Sequence, residues 1–338
     1  MRIISALCLM LLLAACNPQK AGEYHLANAV AITGDGGWDY VKVDNATRRI
    51  YIAHDTQVDV VDADLIQRIG VIKGINGAHG IAIAPDAGYG FITNGKSNHV
   101  TVFDLKTLKI VKHIKAGDKP DSIVYDPSSN RVFVFNGEGN SATVIDARKT
   151  KIIKTLPLGG GPEFSVADNA GHVYVNISDT SELLQMDTHT LKVLNRWALA
   201  PCGEPSSLAM DIANQRLFAG CRNLMLTVVN ARNGSVITTL PIGQQVDATA
   251  YDPQTHLVIS SNGDGTMTVI HQDDADHYHV VQLVDTPRHS KTFGLDEKTH
   301  QLFVPAAQFK EADAPENGEQ KPKATVVPDS FALLTFAK

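Results

Sequence analysis

The chain repeats itself, and the length of the repeat leaves few folds open. In residues 119–160, four short runs rich in Val, Ile, Phe and Tyr occupy positions 122–125, 131–135, 142–145 and 152–156. Asp126-Pro127-Ser128-Ser129-Asn130, Asn136-Gly137-Glu138-Gly139-Asn140 and Asp146-Ala147-Arg148 separate them. β-Branched and aromatic side chains suit a pleated, half-buried surface, and the separators are turn residues. The stretch therefore reads as an antiparallel meander of four strands. The Asp126 that closes its first strand has counterparts at Asp44, Ala84, Asp168, Asp211, Asp252 and Asp296, spaced 40 to 44 residues apart. The ends of the third strands recur with the same spacing: VDVVD, VTVFD, ATVID, LLQMD, LTVVN and MTVIH. Seven units of four strands predict an all-β fold, a seven-bladed β-propeller of antiparallel blades. One meander cannot bury both of its faces, whereas a ring of seven packs each sheet between two others.

The ends of the chain supply the closure. Residues 23–34, EYHLANAVAITG, resemble fourth strands such as KIVKHIKAG, yet they precede the first unit. Residues 330–338, SFALLTFAK, read as a third strand with no fourth after it. The N-terminal strand is expected to complete the last blade beside the C-terminal one, which closes the ring and removes two exposed edges. The propeller then spans residues 23–338 as a single domain.

The first sixteen residues, MRIISALCLMLLLAAC, carry one charge at Arg2, an apolar run over 3–13 and a small-residue end, the pattern of an export signal. Leu13-Ala14-Ala15-Cys16 resembles a bacterial lipobox. That resemblance implies cleavage after residue 15, a lipid anchor on Cys16 and a polar tether over 16–22; the plainer alternative is a secretory signal with an incidental Cys16. Asn17, where an Asp would retain a proteobacterial lipoprotein in the inner membrane, implies an outer-membrane protein facing the periplasm. Loss of Arg2 leaves 29 basic against 36 acidic residues, so bulk charge gives no pull toward nucleic acid. Cys202 precedes the first strand of unit five and Cys221 follows its second strand, which brings both to one rim. In an oxidising compartment they are expected to form a disulfide.

Phe91-Ile92-Thr93-Asn94, following Ile83-Ala84-Pro85-Asp86, resembles the YVTN-type propeller repeat. Over residues 23–338 the chain is similar to the YncE-like exported propeller proteins. Phe91 stands where the motif's name has Tyr, and units four to seven keep the pattern loosely. The resemblance implies the fold and leaves the activity open.

Two insertions break the period. Residues 271–279, HQDDADHYH, hold His271, His277 and His279, with His277 and His279 expected on one strand face as metal candidates. A solvated acidic hairpin is the preferred reading, because the spacing matches no structural zinc signature. Residues 306–329 are rich in Pro, Glu and Lys, cannot pack a core, and are expected to hang over the channel mouth or to be disordered. No CxxCH, GxxxxGK[ST] or GxSxG occurs, which excludes attached haem c and gives no nucleotide or nucleophile motif. No cofactor is assigned.

Five residues before each marker stand Asp39, His79, Asp121, Glu163, Ser206, Asp247 and Lys291, at the start of strands that line the channel. These residues, with Trp38 and His289 beside them, are expected to form a polar ring at one mouth. It would suit a cation, or a cationic or polyhydroxylated ligand, and pairs such as His79 with Asp121 suit a metal. A polar strand start is also what plain solvation produces. The preferred function is a non-catalytic, monomeric envelope lipoprotein binding a small molecule or an envelope protein at this rim. The alternative is a channel-mouth hydrolase such as a lactonase, metal-assisted in one version.

Overall fold

The computed structural model describes residues 22–32, 34, 37–310 and 325–338. The signal, Cys16 and all of the tether except Gly22, like residues 311–324 of the long loop, lie outside the described residues.

Seven four-stranded antiparallel sheets form the blades of a propeller. Blade three comprises Pro120–Asp126, Arg131–Asn136, Ser141–Asp146 and Lys151–Pro157. Its strands run slightly beyond the apolar runs, because pairing continues into the turn-flanking polar residues: Asn136 still pairs with Ser141. Blade seven is ordered Gly294–Asp296, Gln301–Ala306, Ala332–Ala337 and His25–Ala31. His25 pairs with Ala337 and Ala31 with Ala332, so the N-terminal strand closes the ring as the repeat implies.

The apolar core is divided into seven clusters, one at each seam between neighbouring blades. Phe133, Phe135 and Val144 of blade three meet Val173, Val175 and Leu184 of blade four. At the closing seam, Val43, Ile50 and Ile52 of blade one meet Phe303, Phe331 and Leu333. Each fully buried side chain of this size contributes roughly 1.5–3 kcal/mol, so the ring is held by seven similar seams and no central core.

The marker aspartates fix both the turns and the seams. The Asp126 carboxylate accepts the Ser129 backbone N–H and both the Ser128 and Ser129 hydroxyls, an Asx-type turn. Ala84 cannot do this, and there a 3-10 turn, Pro85–Ala87, ends on Gly88 at φ 74°. Several markers also take a donor from the next blade. Arg48 Nη2 lies 2.5 Å from Asp296 Oδ2 across the closing seam, and His300 Nδ1 lies 2.7 Å from Asp252 Oδ2. Burial opposes the charge on Asp296, but bonds from Arg48, Thr299 and the Lys298 N–H outweigh it and hold its pKa down at about 2.

Two boundaries differ from the sequence reading. Cys221 is the last residue of its strand, Arg216–Cys221, because it pairs with Pro205. The base of the long loop is ordered: Phe309–Lys310 pairs with Thr325–Val326 as a two-stranded ribbon. Phe309 and Val326 give an otherwise polar segment enough apolar surface to dock.

Candidate ligand site at the channel mouth

Six of the seven first strands carry a register shift at their outer end, for example between Trp38 and Val41 and between Pro120 and Ile123. An extra residue there bends the strand and re-aims its side chains. The irregular segment holds the residue five before the marker, so the bulge turns Asp39, His79, Asp121, Glu163 and Asp247 to the mouth. Neighbouring blades brace it. Thr93, the threonine of the FITN motif, donates to the Asp121 carbonyl at 2.6 Å, and Thr292 donates to the Asp39 carbonyl at 2.7 Å.

Three of these side chains converge closely. His79 Nδ1 is hydrogen-bonded to Asp39 Oδ2 and lies 3.7 Å from Asp121 Oδ1. One ligand atom from each residue falls within 4.8 Å of the others. On the facing side, Lys291 Nζ sits 2.7 Å from Asp247 Oδ2, and Arg222 Nη2 lies 3.8 Å from Glu163 Oε1. Protein surrounds these groups, yet channel water still reaches them; Asp39 and Asp121 are 17% and 20% exposed. Burial and the charge of Asp39 push the Asp121 carboxyl up to about 7. Burial likewise raises Asp247 and Glu163, with Lys291 and Arg222 pulling each back. Burial opposes the charge on His79 and Lys291, but their carboxylate neighbours outweigh it and raise both. The mouth is thus a place where carboxylates crowd one another.

Ser206, Trp38 and His289 do not join this group. Ser206 is buried and donates to the Val246 carbonyl at 2.8 Å, tying blade five to blade six. Trp38 packs on Phe331 and Phe309 at 5.3 and 5.9 Å between ring centroids, and His289 lies 4.5 Å from the Phe309 ring. Both therefore seat the ribbon of the long loop at the rim.

The sequence reading missed the floor of the mouth. Tyr40 of blade one and Phe164 of blade four stack with ring centroids 5.0 Å apart and planes 19° apart. Blades one and four stand on opposite sides of the ring, so the pair spans the channel. Burial, followed by the charges of Asp121, Asp39, Asp247 and Glu163, raises the Tyr40 phenol well above its usual range. Beyond the pair lies a cavity of about 430 Å³ walled by Val43, Ile81, Ile123, Leu208 and Phe293 among others. A signal for the pair exists in the repeat. The residue four before the marker is small in the other blades (Gly80, Ser122, Ser207, Ala248, Thr292), and only Tyr40 and Phe164 are large. Arg222 was also missed. It follows Cys221, and the Cys202–Cys221 disulfide fixes the hairpin that presents it.

The second histidine group is arranged differently from expectation. His277 precedes the strand Tyr278–Asp285 and is bound to Asp274 in the turn, so it does not share a strand face with His279. His271 and His279 pair directly across the hairpin, and each lies 2.9 Å from an Asp273 oxygen. The set that converges is His271, Asp273 and His279, on the outer edge of blade six.

No protein-family model matches the sequence, and no curated protein matches it. Solved structures do resemble the fold. A chain of hydrazine synthase from Kuenenia stuttgartiensis is 16% identical with a TM-score of 0.70, over 81% of this chain and 94% of that one. The WD40 repeats of RRP9 are 9% identical with a TM-score of 0.76, over 93% and 100%. U3-55K is 9% identical with a TM-score of 0.74, over 93% and 99%. At such identities the likeness shows the propeller fold alone.

Proposed function

We propose that this chain is a YncE-like envelope lipoprotein, anchored through Cys16 to the outer membrane, that binds a ligand at the carboxylate-rich mouth of its channel without transforming it. The observation that carries the reading is the convergence of Asp39, Asp121, Glu163 and Asp247 above the Tyr40–Phe164 floor, with their charges only partly offset by His79, Lys291 and Arg222. Crowded carboxylates raise one another's pKa, and a cationic or polyhydroxylated ligand relieves that repulsion. The Cys202–Cys221 disulfide suits an exported protein. The fold itself, a propeller like the WD40 repeats of RRP9, is a general scaffold for binding a protein or a small molecule, and a protein partner is one form of that ligand.

Native mass spectrometry of the protein released from its own envelope tests this. A bound species that is lost in Asp121→Ala/Glu163→Ala, with little change in melting temperature, supports the mouth. A double variant that retains the species moves the site elsewhere. One observation favours a second reading, a hydrolase such as a lactonase: a carboxyl at about 7 is placed for general acid–base work near neutrality. Turnover of a lactone panel, lost in Asp121→Asn, would establish it; no turnover removes it.

A further inference from the structure

We infer that Asp39, His79 and Asp121 form a binding site for one divalent first-row transition metal ion, a reading that rests on the mouth being the ligand site. Two carboxylates and one imidazole are a donor set that Zn²⁺, Mn²⁺, Fe²⁺ and Co²⁺ accept. Donor atoms around one such ion, bound at 2.0–2.2 Å, lie roughly 3–4 Å apart. The 3.7 Å between His79 Nδ1 and Asp121 Oδ1, and the 4.8 Å limit on the whole set, are already close to that spacing.

The site is also built around its histidine. A Cβ placed on Gly95 would stand 2.6 Å from both Cδ2 and Nε2 of His79. That edge of the imidazole therefore lies against the Gly95 backbone, which leaves Nδ1 as the nitrogen turned to the carboxylates. The three donors come from the first strands of three consecutive blades, and the bonds from Thr292 to Asp39 O and from Thr93 to Asp121 O hold two of those strands in place. Among the described residues the Asp121 carboxylate receives no hydrogen bond, and its nearest cationic neighbour is His79. It is thus a partly desolvated carboxyl group with coordination capacity unspent. Lys291 is paired with Asp247 and Arg222 with Glu163, so among the described residues neither makes a direct ion pair with Asp39 or Asp121. An ion held here keeps its remaining positions for water or for a ligand entering the channel. The surface group His271–Asp273–His279 is a separate candidate, more exposed, and serves as the internal control.

The test is calorimetric titration of chelator-stripped mature protein with Zn²⁺ and with Mn²⁺, with Co²⁺ absorption as a spectroscopic check of the donors. The wild type and His271→Ala/His279→Ala should each bind one ion at the mouth. His79→Ala and Asp121→Asn should weaken that site at least a hundredfold, with circular dichroism confirming the fold. Gly95→Ala leaves every donor in place but crowds His79, and should weaken the site about tenfold. The inference is overturned if His79→Ala and Asp121→Asn bind Zn²⁺ as the wild type does, or if all binding disappears in His271→Ala/His279→Ala. An organic ligand that still co-purifies and depends on Asp121 and Glu163, in a protein that binds no metal at the mouth, would leave the mouth as ligand site and remove only the metal.

Discussion

The first strands carry acidic residues at two positions, five residues apart, and Asp126 and Asp296 at one are treated in the opposite way to Asp121, Glu163 and Asp247 at the other. At the marker, Asp126 and Asp296 accept backbone N–H groups, hydroxyls and, for Asp296, a guanidinium; both are held below the usual carboxylate range. At the mouth, Asp121, Glu163 and Asp247 are partly desolvated and stand among other carboxylates, with Lys291 and Arg222 offsetting this only in part at Asp247 and Glu163, and all three are raised. Residue type and strand are shared, so the difference lies in the supply of donors. A carboxylate with its hydrogen bonds satisfied holds the ring together. One left short of donors costs stability, and under the proposed function it is kept where a ligand can supply what the protein does not.

The largest effect should come from the satisfied set. Asp296→Ala removes the turn bonds and leaves Arg48, only 13% exposed, without its partner across the closing seam. Arg48 keeps Asp64 at 2.9 Å, but the Thr299 hydroxyl and the Lys298 N–H lose their acceptor as well, and the combined loss is about 3–5 kcal/mol. Chemical denaturation should show that loss. A cost below 1 kcal/mol would mean that the closing seam rests on its apolar cluster and the N-terminal strand alone. Next in size is the disulfide. Its 19-residue separation predicts about 3 kcal/mol on chain entropy, to be read from the denaturation midpoint of Cys202→Ser/Cys221→Ser.

The contrast also explains what the sequence could reveal. The blades were legible because each strand pair is local and its turn chemistry is explicit, as in Asp126-Pro127-Ser128-Ser129-Asn130. The closure was legible because His25–Ala31 had no unit of its own. The mouth residues were found by register alone. Their mutual pairing was not, because which of His79, Lys291 and Arg222 answers which carboxylate depends on distances across blades about 40 residues apart or more. Ser206, Trp38 and His289 occupy or border the right register but turn to a seam or to the ribbon. Bulge geometry and the apolar side chains of a docked loop decide that, and neither shows in a polar or apolar pattern. Tyr40 and Phe164 were readable only as exceptions to a column of small residues.

Acid should separate the two sets by pH. Asp296 has a folded pKa of about 2, below an unfolded value of about 3.9. Its contribution is therefore complete above about pH 4 and is lost as pH falls through 2. Stability measured by denaturant titration should decline over that window in the wild type. In Asp296→Asn the decline should be shallower, from a lower starting value. Equal slopes in the two proteins would assign the acid loss to other carboxylates.

The smallest effect should come from Glu163, and its sign carries the comparison. Burial raises its pKa above the ordinary value near 4.5, so the folded protein holds that proton more tightly than the unfolded chain does. Such a group favours folding most at low pH and loses ground as pH rises past the unfolded value. Glu163→Gln removes the titration but keeps the shape and most of the hydrogen-bonding capacity. Arg222, which faces Glu163 at 3.8 Å, also has Glu204 at 3.6 Å and is half exposed, so it is not stranded by the change. The variant should therefore match or exceed the wild type at pH 8 by up to about 0.5 kcal/mol, and the gap should close on approach to pH 4. Binding should move the other way: a cationic ligand of the mouth should be held several-fold more weakly by the variant at pH 8. A variant that is clearly less stable at pH 8 would place Glu163 with the marker aspartates, as a residue of the framework, and would reduce the mouth to the carboxylates nearest His79 and Lys291.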